Sequence, residues 1–374
     1  MATAAIGRGL RDNFDWPLFV TVAGIAVIGV TNLYSATSAA SEALSELYIQ
    51  QIYWLTFGAG VAVLIVAIDY RHFERFGWVA YGAGIVMLVL VFLLAPEIRG
   101  SQRWIRIGSF SLQPSETMKV VLIVALAKYL HNDPKTEGRT LKDLVVPAAI
   151  LAAPMILVLK QPDLGTALIL AFIFGSIMLL TKLKLRSLLV LVVAFVLSAP
   201  LTWTYLLEEY QKERFLSFWD QTFGDNPDIL DSGWHAFQSK VAIGSGGMWG
   251  KGFMQGTQNQ HRFLPDQQTD FPFAVWSEEH GFAGVLLLFF LYVFLILWGL
   301  KVASQAKDRF GAVVAVGVSA FFFWHTVINI GMVSGLLPVV GVTLPLFSYG
   351  GSSVLTSMMA IGLLMNVSIR RFSF

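Results

Sequence analysis

FPFAVWSEEHGFAGVLLLFFLYVFLILWGL, residues Phe271–Leu300, decides the fold, because from Gly281 to Leu300 it carries no charged side chain. A helix needs about 20 such residues to cross a hydrocarbon core of roughly 30 Å. Lipid offers no partner for a free backbone N–H or C=O, so the segment must be helical. Working outward, further apolar runs lie near Pro17–Ser35, Gln51–Ile68, Phe76–Ala95, Pro114–Leu130, Leu144–Leu159, Leu164–Leu180 and Leu188–Leu207, then Val313–Leu337 and Leu344–Val367. With 56% hydrophobic and 13% charged residues in 374, the chain reads as an all-α polytopic integral membrane protein of about ten transmembrane helices. One membrane domain, 1–374, is expected.

Met1–Asp15 is polar, with Arg8 and Arg11, and the apolar run that follows shows no small-residue cleavage site, so it reads as an uncleaved first span. With the N-terminus inside, most of the 26 Lys and Arg residues fall on one side, in short loops. Both termini are therefore expected in the cytoplasm. There is no cysteine, which excludes disulfides and thiolate metal sites.

Between the seventh and eighth spans, residues 208–270 form a large extracytoplasmic loop, far longer than the roughly 2–8 residues usual between helices. It keeps Trp219, Trp234, Phe237, Trp249, Phe253 and Phe263, which a solvated linker would lack. Trp234–Ile243 has the mixed pattern of an interfacial helix, and Gly244–Gly247 then ends it and permits close backbone approach.

Charge concentrates on that outer face, where Arg99, Arg103, Arg106, Glu116, Asp163, Arg214, Lys240, Arg262, Asp266 and Asp270 all fall at span ends or in loops. Asp270, in QTDFPFAVW, reads as a helix cap, since Asp favours that position and Pro272 suits the first turn, or as a base. Glu278 and Glu279 lie deeper and must face protein or water, not lipid. Glu116 and Lys119, three apart, can neutralise each other on one helix face. RWIRIGSFSL, with Arg103, Trp104 and Arg106, reads as a short hairpin at headgroup level. Asp163, in KQPDLGTALI, reads most simply as a cap. LPLFSYGGSS, Leu344–Ser353, suggests a helix break lining a cavity, or glycines that allow close packing. The chain has no Walker loop, no HExxH, no nucleophile elbow and no acidic metal cage, which argues against ATP-driven transport and metalloprotease chemistry.

In chain order, GSQRWIRIGSFSLQPSE, KQPDLGTALI, QSKVAIGSGGMWGKGFMQGTQ, FLPDQQTDFPFAVWSEE and LPLFSYGGSS resemble the SEDS family of shape, elongation, division and sporulation proteins. GKGFMQGTQ is closer to its elongation branch than to its division branch. The resemblance implies a bacterial inner-membrane peptidoglycan glycosyltransferase that polymerises lipid II. It also implies a class B penicillin-binding protein as transpeptidase partner, other elongation-complex proteins, and no nucleic acid. It assigns the essential acid to Asp270 and matches Arg103, Trp104, Glu116, Lys119, Asp163, Lys240 and the turn from Ser348 through Ser352 to Ser353 to motif positions. The chain departs from the family's usual pattern at Gln268, Pro272 and His280, which puts in doubt a proton relay through a histidine before the TDF.

Transfer from a lipid diphosphate needs one base on the acceptor hydroxyl and cations on the leaving group, not a pair of carboxylates. On this reading Asp270 takes the proton of the acceptor 4-hydroxyl and the anomeric centre inverts. Arg103, Arg214, Lys119 and Lys240, with a divalent cation such as magnesium or manganese and no organic cofactor, are the expected countercharges. The metal and its ligands are not readable. Two rivals stay open: a lipid II flippase, which should hold its ligand near the midplane, and a non-catalytic scaffold for the penicillin-binding protein.

Overall fold

The computed structural model describes residues 13–38, 45–96, 102–107, 110–133, 135, 138–181, 183–205, 207–224, 233–261, 263–264 and 266–371. Arg8, Arg11, Arg99 and Arg262 lie outside the described residues. Each apolar run lies on a helix: α1 (Trp16–Ser38), α2 (Leu47–Ala67), α3 (Tyr70–Leu94), α4 (Pro114–Asn132), α5 (Val145–Leu159), α6 (Leu164–Leu179) and α7 (Leu185–Tyr205). After the loop helices α8 (Glu209–Phe223), α9 (Trp234–Ser245) and α10 (Thr257–Gln260) come α11 (Pro272–Ser304), α12 (Arg309–Val333) and α13 (Gly351–Arg370). Among the described residues, seven helices (α1, α2, α3, α5 with its leading turn, α11, α12 and α13) are long and apolar enough to span a bilayer. The chain is thus a multi-pass membrane protein. The segment expected as a hairpin pairs β1 (Ile105–Ile107) with β2 (Phe110–Leu112), antiparallel.

α12 and α13 form the centre, buried along most of their length, while α2 and α3 turn most of their surface outward. Val63, Leu64, Val79 and Leu93 are exposed there, as are Phe289 and Phe290 of α11, as lipid-facing residues should be. Small residues bring backbones together where packing alone must hold helices. A Cβ at Gly362 on α13 would lie 3.0 Å from Ala62 Cα on α2. Asn366 of α13 donates to the carbonyls of Ile65 and Ile68, closing the frayed end of α2.

α11 is broken. Gly281 takes φ 61° and ψ −162°, which interrupts the helical hydrogen bonds near the membrane surface. The glycine-rich stretch after α9 repairs them: Lys251 N and Gly252 N donate to the carbonyls of Glu278 and Glu279, each at 3.0 Å. In return Phe282 N and Ala283 N donate to the carbonyls of Gly247 and Met248 at 2.9 and 3.1 Å. The loop can come this close only because it lacks side chains: a Cβ at Gly250 would sit 2.1 Å from Glu279 O, and one at Gly246 would sit 2.1 Å from Ser277 O. Glu278, fully buried, clasps the loop through Lys251 Nζ at 2.7 Å and Thr257 Oγ1 at 3.0 Å. Glu279, also buried, accepts from Ser35 of α1.

One boundary differs from expectation. The last helix begins at Gly351, not Leu344, because Pro345 has no N–H to give and Leu346 takes φ 66°, outside the helical range. Gly29 of α1 makes room for this turn, since a Cβ there would meet Leu346 O at 2.7 Å.

The break in α11 predicts a contrast between two glycines. Gly281→Ala would push a Cβ to 2.3 Å from Gly250 N at a positive φ, whereas a Cβ at Gly60 meets nothing within 4 Å. Heating the detergent-solubilised protein and measuring the soluble folded fraction should show Gly281→Ala destabilised by about 2 kcal/mol or more, and Gly60→Ala unchanged or slightly more stable.

Candidate active site

Arg103 stands just before β1 and is held by main chain: its Nε donates to Gln161 O at 3.0 Å and its Nη2 to Pro162 O. Its Nη1 lies 3.9 Å from Asp163. Asp163 caps α6 as expected, accepting from Thr166 N at 3.1 Å, and takes further hydrogen bonds from Thr166 Oγ1 and from Gln113 Nε2 at 3.0 Å. That carboxylate is fully engaged, which makes it a fixed negative wall. Arg103 keeps part of its guanidinium exposed toward the space beyond.

On α4, Glu116 and Lys119 meet at 2.6 Å. Lys119 is 1% exposed, and its Nζ also lies 3.1 Å from Nε2 of His325 on α12. The other ring nitrogen of His325 is 2.9 Å from Thr343 O, and Thr343 Oγ1 bonds Ser353 Oγ at the start of α13 at 2.8 Å. A continuous polar chain therefore joins α4, α12, the segment before α13, and α13 itself.

Asp270 ends the turn 266–270, in which Thr269 N and Asp270 N both donate to Asp266 O. It is not the cap of α11. That position belongs to Phe271, and no side chain caps the helix; Asn329 of α12 donates to the main-chain Asp270 O at 3.0 Å. Burial first, then the neighbouring Asp266 carboxylate, pushes the Asp270 carboxyl up to about 6, against opposing pulls from Arg214 and the Thr269 hydroxyl.

These groups surround one cavity of about 610 Å³, whose wall includes Arg103, Trp104, Glu116, Lys119, Asp163, Asp270, His325, Gly350, Gly351 and Ser353. A second lobe of about 290 Å³ shares Arg103, Asp163, Asp266 and Asp270, and adds Arg214 with Tyr210 of α8. Arg214 is held by Val339 O at 3.2 Å. On the other side an apolar groove of about 780 Å³, lined by Tyr53, Trp54, Phe57, Leu112 and Leu355, shares Trp54 and Ser111 with the cavity.

Three expected residues lie outside the cavity. Lys240, on α9, runs its stem along Gly335, where a Cβ would meet its Cδ at 2.7 Å. Ser348 is buried in the turn before α13, its hydroxyl accepting from Leu344 N at 2.8 Å. Ser352 is buried too, accepting from Gln113 N at 2.9 Å, and Ser353 takes the cavity position instead. Sequence reading overlooked His325 and Asn329. Their signal was present, since HTVIN places a histidine and an asparagine inside an apolar span. Among the described residues no three His, Asp or Glu side chains are grouped to hold a metal ion. The donor set does not make a protein cage for the expected divalent cation.

The fold is that of one family. The chain belongs to the FtsW/RodA/SpoVE family, described as cell cycle proteins, whose sequence model matches residues 15–372. It is 36% identical to the peptidoglycan glycosyltransferase MrdB of Escherichia coli K12, over 96% of this chain and 95% of that one. It is 32% identical to the peptidoglycan glycosyltransferase RodA of Treponema pallidum, over 97% and 99% of the two chains. The stage V sporulation protein E of Bacillus subtilis is 34% identical over 96% and 98%. Among solved structures, a chain from work on structural coordination of polymerization and crosslinking by a peptidoglycan synthase complex superposes with TM-score 0.81, 30% identity, and 96% and 99% coverage. The rod shape determining protein RodA of Thermus thermophilus gives 0.71, 29%, and 96% and 98%.

The raised Asp270 carboxyl has a consequence for stability. A carboxyl held above its ordinary value of 3.8 disfavours the ionised fold, so the cost is full above pH 6 and absent below pH 4, worth about 3 kcal/mol at most. Asp270→Asn should therefore raise the thermal midpoint at pH 8, with the gain vanishing toward pH 4. A lower midpoint at pH 8 would show that the carboxylate is stabilising.

Proposed function

We infer that this chain is a peptidoglycan glycosyltransferase that polymerises lipid II into glycan strands during elongation. The observation that carries this is Asp270, a carboxyl tuned to about 6, on the wall of a cation-lined cavity that adjoins an apolar groove. Its neighbours in sequence named MrdB and RodA are peptidoglycan glycosyltransferases.

In the proposed reaction the acceptor sugar's 4-hydroxyl gives its proton to the Asp270 carboxylate as its oxygen attacks the donor's anomeric carbon. The bond from that carbon to the lipid diphosphate breaks, its electron pair leaves with the diphosphate, and the configuration inverts. A base matched to neutral pH suits this step. Charge on the leaving diphosphate is met by Lys119 and Arg103, and on the second lobe by Arg214. Cations fixed in advance by Glu116, His325 and main-chain carbonyls need little reorganisation during transfer. A divalent cation would enter as a companion of the substrate diphosphate. The groove beside Trp54 gives the polyprenyl tail an apolar path from the bilayer. The groove runs from α2 over β2 to α13.

The same reading sets the cavity on the extracytoplasmic face of the inner membrane, with both termini cytoplasmic. Likeness to a chain of a peptidoglycan synthase complex supports a class B penicillin-binding protein as partner. A flippase would gather its binding groups near the midplane. Here Arg103, Asp163, Asp266 and Asp270 stand in turns or at helix starts, and Glu116 and Lys119 lie in the first two turns of α4.

Purified protein given labelled lipid II should make glycan strands, and Asp270→Asn should lower the rate by 10³-fold or more, on the order expected for loss of an essential base. The parent's kcat should fall as pH drops through about 6, where the carboxylate takes up its proton. Polymer unaffected by Asp270→Asn would remove Asp270 as the base. Lipid II crossing liposome membranes with no polymer formed would favour transport.

A further inference from the structure

We propose that His325 and Asn329, one turn apart on α12, are positioning residues for this transfer, aiming the Lys119 ammonium and fixing the main chain that carries Asp270. The proposal rests on the polymerase reading and extends it to residues that touch neither reacting atom.

Hydrogen-bond roles at His325 follow from its partners. Thr343 O, 2.9 Å from Nδ1, can only accept, so Nδ1 carries the hydrogen. Lys119 Nζ, 3.1 Å from Nε2, can only donate, so Nε2 offers its lone pair. His325 is therefore neutral and of one tautomer, and it takes one ammonium hydrogen. Glu116 takes a second at 2.6 Å. The third is left for the cavity that Lys119 lines.

Asn329 does the corresponding work for the base. Both hydrogens of its buried amide nitrogen are used, one on Asp270 O at 3.0 Å and one on Val342 O at 2.7 Å. Val342 and Thr343 are adjacent cavity-wall residues, gripped by side chains one helical turn apart. One face of α12 thus locks base, cation and the intervening wall into a single unit. Burying His and Asn in a membrane helix is unfavourable compared with leucine, and reacting groups misplaced by about 1 Å lose roughly 10²-fold in rate.

The test uses the full chain in nanodiscs, measuring kcat and KM for lipid II polymerisation and backbone hydrogen exchange across residues 266–271 and 341–344. Variants are His325→Leu, His325→Gln, which keeps an oxygen able to accept from Lys119, and Asn329→Asp, which exchanges a donor for an acceptor facing two carbonyls. Expected are a kcat loss of at least about 30-fold in His325→Leu with KM within about threefold, and recovery of most of that loss in His325→Gln. Asn329→Asp should lower kcat and speed exchange in those two segments alone. Parental kcat in His325→Leu, or equal losses in Leu and Gln variants with faster exchange throughout the bundle, would overturn the proposal. A parent chain that makes no polymer would instead sink the polymerase reading, and the exchange pattern would still decide whether α12 fixes the Asp270 segment.

Discussion

An ammonium buried among apolar helices is the constraint around which the protein is arranged. Isolated, the Lys119 charge would cost several kcal/mol, and α4 alone can offer it only Glu116. A second ammonium hydrogen is taken from α12 by His325, whose own second nitrogen must then be satisfied at Thr343. Thr343 in turn bonds Ser353 at the start of α13. Each partner brings its own demand, and the chain of demands pulls four parts of the sequence to one point. The cavity is where that chain meets the outer surface.

Backbone groups obey the same rule. Breaking α11 at Gly281 frees carbonyls and N–H groups that lipid could not satisfy, and the loop from Gly246 to Gly252 satisfies them. The broken helix lets Glu278 and Glu279 turn inward to hold that loop and α1, instead of facing lipid. Because Asp270 stands just before this half-helix, the glycines that seal the break also set the height of the proposed base. The glycine-rich stretch, which the sequence reads as permitting close backbone approach, is therefore the seam of the fold.

Much of this was legible in the sequence. Apolar runs report helices directly, Asp163 reads as a cap and is one, and the three-residue spacing of Glu116 and Lys119 foretells their contact. What escaped was whatever depends on partners distant in the chain. Asp270 before Pro272 has the local pattern of a cap, yet it lines the cavity, and its main chain is held by Asn329, far along the sequence. Ser348, Ser352 and Ser353 share a motif, but the turn imposed by Pro345 and Leu346 aims only the last at the cavity. Lys240 has the right charge in the right loop and is drawn instead along Gly335. His325 and Asn329 were hidden by the apolar helix around them.

In the proposed reaction, Asp270 and Lys119 face the two ends of one transfer across a shared cavity. The most direct measurement is a cryo-electron microscopy structure of the full chain carrying Asp270→Asn, with unreacted lipid II bound. Expected are the acceptor's 4-hydroxyl within hydrogen-bond reach of residue 270, a diphosphate against Lys119 and Arg103, and the polyprenyl tail in the groove beside Trp54. A diphosphate seated away from both cations, with no sugar hydroxyl near residue 270, would contradict it.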